Sequence, residues 1–469
     1  MPHERFHFPD RAALERKIAE LGLDIPFSDD VSVLFSHVYM PGKTLLNRFV
    51  VLPMEGADAD PSGSPSDLSR RRYKRFAEGG SSMIWFEATA VAAEARSNPQ
   101  QLWIHPETKN GFRRLAKETR LAAHRKFGHD HNLLLILQLT HSGRFARPDG
   151  RPAPIAAQPK PLLDTETGLS ADHHLISDAD LDALQDRFAA AAGLAYEVGF
   201  DGVDIKACHG YLISELLAAR ARPDSRYGGG FENRIRFLLE TSQKIRRQFP
   251  GLIVTSRLSV FDAIPRPHGF GVDAEDAERP DLREPVELIG RLVRLGYPLI
   301  GISLGIPAFR PHYGRPYDKP LIGQDLPAEH PLVGVARWLR LTAEIQKAFP
   351  SLPVVGAGYS WLRRFFPHAA AAMVERGKAS LIGLGREALA YPDWVNDLAA
   401  KGLLDSRRVC LSCSKCSQML RAGTRVGCSV RDTAIYQAEY RRARKLAKEV
   451  RRNEKRTARA VKRQKKRKS

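Results

Sequence analysis

The sequence predicts an α/β fold, a (β/α)8 TIM barrel, followed by a cysteine-rich segment and a basic helical or disordered tail. Three observations carry this. Eight apolar runs alternate with helix-period segments, as parallel strands joined by crossover helices do. The runs are continuously apolar, as strands buried on both faces are. The long connections (140–176, 259–282 and 305–331) all leave strands, whereas helices return to the next strand within a few residues, as at 296–298 and 349–352. Long loops on one side only are what a barrel working at its strand carboxyl ends produces. A doubly wound open sheet is the rival, but no GxGxxG follows the first strand.

The strands expected in order are FVVLPM (49–54), SMIWFEA (82–88), NLLLILQL (132–139), DGVDIK (201–206), LIVTSRL (252–258), PLIGISL (298–304), LPVVGAG (352–358) and ASLIGLG (379–385). Helices fall between them. Leu181, Leu184, Phe188, Ala191 and Ala195 recur at spacings of three and four, behind a capping signal at Ser177 and Asp180. Leu288, Leu292 and Leu295 form a stripe that stops at Gly296. Val335, Trp338, Leu339, Ile345 and Phe349 form another, and 109–127 and 231–249 look similar.

Composition narrows the class. With 469 residues, 43% hydrophobic, the chain can bury a large core. Its start, MPHERFHFPD, has no apolar run, and no stretch of about 18 apolar residues occurs. No secretory leader and no membrane span are expected, and the protein is expected in the cytoplasm. Net charge is +20, but residues 441–469 hold sixteen Lys or Arg against Glu449 and Glu454, which is +14 of that total. The basic character belongs to the tail.

The strand ends converge on one mouth. Glycines follow strands seven and eight (Gly356, Gly358, Gly385), with Arg386 next, a pattern suited to a phosphate cradle. Gln138 ends strand three and offers paired donor and acceptor to an amide-like heterocycle edge. Arg257, on strand five, offers a permanent positive charge. A phosphate at one end with an amide edge and a cation at the other suits flavin mononucleotide (FMN).

The sequence resembles the old yellow enzyme family of FMN-dependent NADH:flavin oxidoreductases. The residues that carry the resemblance are NRFVVLPM (47–54), GGSSMIWFEATAV (79–91), LQLTHSGR (137–144), GFDGVDIKACHGYL (199–212), RPDSRYGGGFENRIRFLLE (222–240), SRLS (256–259) and LIGLGREALAYPD (381–393). The resemblance implies that Pro53, Met54 and Ala88 line the flavin and that Gln138 binds its pyrimidine edge. Arg257 would stabilise negative charge on the reduced ring, and Gly358, Gly385 and Arg386 would hold the phosphate. His209 would face the substrate's electron-withdrawing oxygen, and Tyr211 would donate a proton. NAD(P)H is the expected electron donor and a small activated alkene the expected substrate.

Two positions depart from the family pattern. Lys206 stands where many members have histidine, and Glu55 where many have cysteine or threonine. Paired charge insertions at one site suggest an ion pair, because a lone buried charge is costly, and they add Glu55 and Lys206 to the candidate site. Cys208, between the working positions, reads as a small buried hydrophobe.

Cys410, Cys413, Cys416 and Cys428 form C-x2-C-x2-C-x11-C. The spacing suits an iron–sulfur cubane; structural zinc and no metal are the alternatives. The segment also looks like the 4Fe-4S segment of 2,4-dienoyl-CoA reductases and trimethylamine dehydrogenases. Those have one more residue before the third cysteine, and a nucleotide-binding region after the cluster that is not expected here. In the dienoyl-CoA reductases a histidine beyond strand six assists, for which His312 is the candidate.

The expected organisation is therefore an extension (1–45), the FMN-binding barrel (46–400), the cysteine segment (401–432) and the basic tail (433–469). In the tail, Tyr436, Tyr440, Ala443, Ala447 and Val450 mark a helix, and RTARAVKRQKKRKS is expected to be disordered. The expected activity is reduction of an activated carbon–carbon double bond. The alternative is an amine or related dehydrogenase or demethylase passing electrons through the cluster, and Lys206 would repel a cationic amine. A redox partner protein is expected, an oligomer is compatible with the sequence, and nucleic acid is not expected as a partner: the tail lacks interleaved aromatics and any recognisable motif.

Overall fold

The computed structural model describes residues 2–468, apart from 168, 170–172, 174 and 223, and leaves the side chains of 165, 166 and 454–468 undescribed. Pro223 of the RPDSRYGG block thus lies outside the described residues.

All eight expected strands form. They are β1 Phe49–Val51, β2 Met83–Ala90, β3 Leu134–Thr140, β4 Gly202–Ile205, β5 Ile253–Phe261, β6 Ile300–Leu304, β7 Val354–Gly356 and β8 Leu381–Leu384. Every neighbouring pair is parallel. β5 is broken at Ser256: Ile253–Thr255 pairs with β4, and Arg257–Phe261 pairs with β6. These two halves are the ends of the sheet, so the barrel closes through one peptide segment. The seam is completed where the Ala207 N–H donates to the Arg257 carbonyl (3.0 Å) and the Ser259 N–H to the Ala207 carbonyl (2.9 Å).

Eight helices wrap the barrel: α1 Asp67–Ala77, α2 Lys109–Phe127, α3 Asp178–Glu197, α4 Phe231–Gln248, α5 Arg283–Arg294, α6 Pro331–Ala348, α7 Phe366–Glu375 and α8 Trp394–Lys401. The Ser177 side chain caps α3 by accepting from the Asp180 N–H at 3.0 Å. α5 stops before Gly296, whose φ of 86° closes the helix end in the left-handed region. A short hairpin, Val38–Met40 against Lys43–Leu45, sits at the amino end of the barrel, with Lys43 paired to Asp201 at 3.0 Å. One correction concerns the tail. The helix Thr433–Lys468 runs on through the stretch expected to be disordered, which carries good helix formers and no Gly or Pro.

The cysteine segment packs on the barrel through polar contacts. β2 slips register between Phe86 and Thr89, which turns Glu87 outward to a buried cation. Arg72 of α1, its side chain 3% exposed, meets Asp58 (2.7 Å) and Glu87 (3.0 Å) and donates to the Val426 carbonyl (2.6 Å). The Val426 N–H donates to the Gly56 carbonyl at 2.7 Å, and Asp432 pairs with Arg71 and Arg75 (2.7 and 2.6 Å). On the far side the loop after β6 supplies the Asp318 N–H to the Ser412 carbonyl (3.0 Å).

Removing one partner of a buried ionic group leaves uncompensated charge. Arg72→Met is expected to lower unfolding free energy in urea by about 3–5 kcal/mol and to speed protease cleavage within 401–432.

Candidate active site at the barrel mouth

The strand ends bring most of the expected residues to one mouth. Four groups assemble around the end of β4. Lys206 follows the strand directly. His209 and Gly210 both take left-handed backbone (φ 68° and 74°), an uncommon conformation for histidine. This double turn reverses the chain so that Tyr211 begins the short helix Leu212–Leu217. His209 and Tyr211 are thereby presented side by side, which no local propensity would achieve.

Glu55 and Lys206 do face each other, with Nζ 3.7 Å from Oε1 and side chains 3% and 9% exposed for Lys206 and Glu55. The tighter contact is one the sequence reading missed. The Tyr211 hydroxyl donates to the same Glu55 Oε1 at 2.8 Å, and the Lys206 ammonium lies 3.6 Å above the centre of the Tyr211 ring. Ser97 donates to the other carboxylate oxygen at 2.9 Å. Burial pushes the Lys206 ammonium down, with Glu55 opposing it. Burial, then the Glu55 charge and hydrogen bond, hold the Tyr211 phenol well above its usual range.

His209 Nε2 lies 3.1 Å from Ser303 Oγ at the end of β6. Burial, with Arg257 and Lys206 nearby, pushes the imidazole well below its usual range, so it is neutral. Cys208 is fully buried and its thiol is pushed up to about 11 by burial, as expected of an inert core residue.

Deeper in the barrel a second carboxylate, unforeseen from the sequence, organises the flavin-type residues. Asp204 is fully buried. It accepts from Gln138 Nε2 (2.5 Å), Trp85 Nε1 (2.8 Å) and the Arg257 backbone N–H (2.7 Å). Burial nevertheless pushes it up to about 6. With its amide N–H₂ engaged, Gln138 keeps its carbonyl for a ligand. Arg257 Nε is buried without a partner. Ala88 is buried, its carbonyl held by Gln101 at 2.9 Å.

At the β7 and β8 ends, Gly358 has φ 94°, and a Cβ on Gly385 would lie 2.9 Å from Met54 Sδ. Pro53 and Met54 thus sit across from the β8 turn. Arg386 donates to the Pro316 carbonyl at 3.1 Å. Arg315, in the loop after β6, is a residue the sequence did not mark. Its guanidinium donates to Ser414 Oγ at 2.8 Å, and burial with the Arg386 charge pushes it down to about 10. Among the described residues none forms an ion pair with Arg257, Arg315 or Arg386. Unpaired cations, an orphaned guanidinium nitrogen and a bare carbonyl fit a phosphate-bearing heterocycle such as FMN.

Cys410, Cys413, Cys416 and Cys428 are free thiols lining one shallow hollow with a free volume of about 20 Å³, partly open to solvent and bordered by Arg386 and Arg431. Among the described residues no group of three or more His, Cys, Asp or Glu side chains is arranged to hold a metal ion. His312 sits away from His209, 3.9 Å from Glu329 and packed on Tyr313. No described helix is long and apolar enough to cross a membrane.

Comparison with known proteins places the chain in a family and matches its fold. Residues 33–277 match the NADH:flavin oxidoreductase / NADH oxidase family. The chain is 30% identical to an NADPH dehydrogenase of Geobacillus sp. (strain WCH70), over 77% of this chain and 92% of that protein. It is 25% identical to an NADH oxidase of Thermoanaerobacter brockii, over 81% of this chain but only 52% of that protein. The old yellow enzyme homologue of Zymomonas mobilis superposes with TM-score 0.57 at 22% identity, covering 80% of this chain and 94% of the other. A 2-naphthoyl-CoA reductase superposes with TM-score 0.67 at 18% identity, covering 88% of this chain and 58% of the other. At those identities the two structures share the fold.

The imidazoles carry a pH dependence. His141, buried beside the mouth with Nδ1 accepting from the Gly143 N–H (3.0 Å), is pushed down to about 4 by burial. Unfolded, it would protonate near pH ~6.5, so below that pH the unfolded chain binds more protons and stability is lost. That loss continues to about pH 4, where the folded ring protonates too. His141→Asn keeps an acceptor but no charge. Urea unfolding between pH 4.5 and 6.5 is expected to show a shallower slope in this variant, by up to about 1.4 kcal/mol per pH unit.

Proposed function

The chain belongs to the NADH:flavin oxidoreductase / NADH oxidase family and is an FMN-dependent oxidoreductase, and from that premise we propose that it reduces the activated carbon–carbon double bond of a small carbonyl or acyl substrate with electrons from NAD(P)H. The observation that carries this reading is the pairing of a neutral His209 with a protonated Tyr211 at the end of β4, above Gln138 and Arg257.

Bound FMN supplies hydride exchange with the nicotinamide and with the substrate carbon. The Gln138 carbonyl and Arg257 would hold its pyrimidine edge, and Pro53, Met54 and Ala88 would line its ring. Gly358, Gly385, Arg386 and also Arg315 would seat its phosphate. His209 donates to the substrate's electron-withdrawing oxygen and so favours negative charge developing there. Losing such a donor costs on the order of 10²–10³ in rate. Tyr211 holds the proton for the α-carbon, and Lys206 keeps a positive charge at the mouth.

The cysteine segment reads as the seat of a 4Fe-4S cluster. The support is the C-x2-C-x2-C-x11-C spacing, which suits a cubane, together with the gathering of all four thiols around one hollow. In this reading residues 46–400 are the catalytic unit and 401–432 exchange single electrons with a redox partner. A second reading, dehydrogenation of an amine or related donor, is favoured by one contact. The Tyr211 hydroxyl is directed at Glu55, an arrangement suited to taking a proton up.

Protein purified without oxygen is expected to be yellow-brown, with FMN and with iron and acid-labile sulfide that are lost in Cys413→Ser. A colourless protein overturns the reading; a yellow one without sulfide removes the cluster alone. Tyr211→Phe is expected to lower NADPH-dependent reduction of 2-cyclohexenone by about 10²-fold or more with little change in KM. Arg257→Leu is expected to lower the FMN retained on gel filtration.

A further inference from the structure

We propose that Glu55 is the proton store of this site, exchanging a proton with substrate through the Tyr211 hydroxyl while Lys206 carries the balancing charge. The inference rests on the reading of Tyr211 as the proton-transfer group and goes beyond it, because it assigns the source of the proton and the reason for Lys206.

The geometry supports a relay. The Tyr211 hydroxyl has one carboxylate in hydrogen-bond contact, Glu55 Oε1 at 2.8 Å. That carboxylate is the end of a chain leading outward, since its second oxygen accepts from Ser97 at 2.9 Å on the partly exposed loop after β2. The Lys206 ammonium is 3.7 Å from Glu55 and 3.6 Å above the phenol ring. It therefore faces both places where negative charge can reside, the carboxylate and the phenolate. The Lys206 ammonium donates no hydrogen bond among the described residues, so its position answers charge rather than a fixed acceptor. The charged groups set against Glu55 are Lys206 from β4 and Glu87 from β2, with the Tyr211 phenol between Glu55 and the mouth.

The step balances without a further reagent. In reduction the Tyr211 O–H bond breaks and a C–H bond forms at the α-carbon. The Glu55 carboxylic acid then gives its proton to the phenolate, leaving the carboxylate opposite Lys206, and regains a proton from water. In dehydrogenation the same transfers run backward. Once the Tyr211 proton has left, the anion sits on one or other of two groups that share one cation, so no buried anion is left unopposed. Glu55 acts through Tyr211 and is a positioning residue rather than one that touches substrate.

The test uses the full-length, FMN-loaded chain reducing 2-cyclohexenone. Glu55→Ala is expected to lower kcat by about 10²-fold with FMN absorbance retained, and millimolar formate or acetate, but not chloride, to restore part of it. Glu55→Asp is expected to keep most of the rate. The proton inventory in mixed H₂O and D₂O is expected to be curved in the wild type and linear in Glu55→Gln. Infrared difference spectra on turnover are expected to show a carboxyl protonation change that is absent in Glu55→Gln. If Tyr211→Phe is impaired while Glu55→Ala keeps its rate, the relay fails and the reading of Tyr211 stands. If Glu55→Ala falls but no acid rescues it and the inventory stays curved in Glu55→Gln, Glu55 only packs the site and the relay fails. If the wild type reduces no activated alkene, or Tyr211→Phe keeps full rate, the reading beneath it fails and the relay with it.

Discussion

The barrel closes around one buried carboxylate. Asp204 sits on β4 with no exposure and draws donors from β2, β3 and β5. A buried ionisable group is tolerated only when its lone pairs are answered, so these four strands are held at a common height. The demand also explains why β5 is broken. Turning the Arg257 N–H toward Asp204 interrupts the ladder at Ser256 and hands the second half of the strand to β6. The same turn frees the Arg257 side chain, whose Nε finds no protein partner, and it leaves Gln138 with only its carbonyl uncommitted. One internal acid thus fixes in advance the groups, the Gln138 carbonyl and the Arg257 guanidinium, that are left open toward the barrel mouth.

At the mouth a different balance operates. Glu55 and Lys206 both lie largely out of water, yet their 3.7 Å separation is longer than a good hydrogen bond. Tyr211 occupies the space between, bonded to one and stacked beneath the other. The tyrosine is therefore part of a charged triad, and its proton is coupled to both neighbours. His209 is held apart from this triad by its left-handed backbone and by Ser303, and it stays neutral because it is buried, with the Arg257 and Lys206 charges adding to that effect. A neutral imidazole and a phenol coupled to charged neighbours thus stand apart as two chemically different groups at one mouth.

The cysteine segment is joined to the same machinery by short polar links. Arg72 touches Glu87, one residue from Ala88 at the end of β2, and also the backbone of Val426, two residues from Cys428. Arg315 reaches Ser414 between Cys413 and Cys416 while facing Arg386. The thiol-lined hollow and the β7–β8 turns therefore share a wall of half-buried arginines, Arg315 and Arg386, whose like charges an anion placed between them would offset.

The sequence alone determined the barrel, because eight two-face-buried strands and their helices are written as local periodicity, and each strand appears within a few residues of its expected place. It also determined which groups stand at the strand ends, and it raised the pairing of Lys206 with Glu55 because two opposite charges stand where the family it resembles commonly has histidine and cysteine or threonine. It could not show Asp204 or Ser303, which look like any strand residues in VDIK and GISL, nor Ser97 and Arg315, which lie on loops without pattern. It placed Tyr211 as a proton donor but not its bond to Glu55, 156 residues away in the chain. Hydrogen bonds and buried charges are settled by distances across strands, to a few tenths of an ångström. Only tertiary closure of the barrel sets those distances.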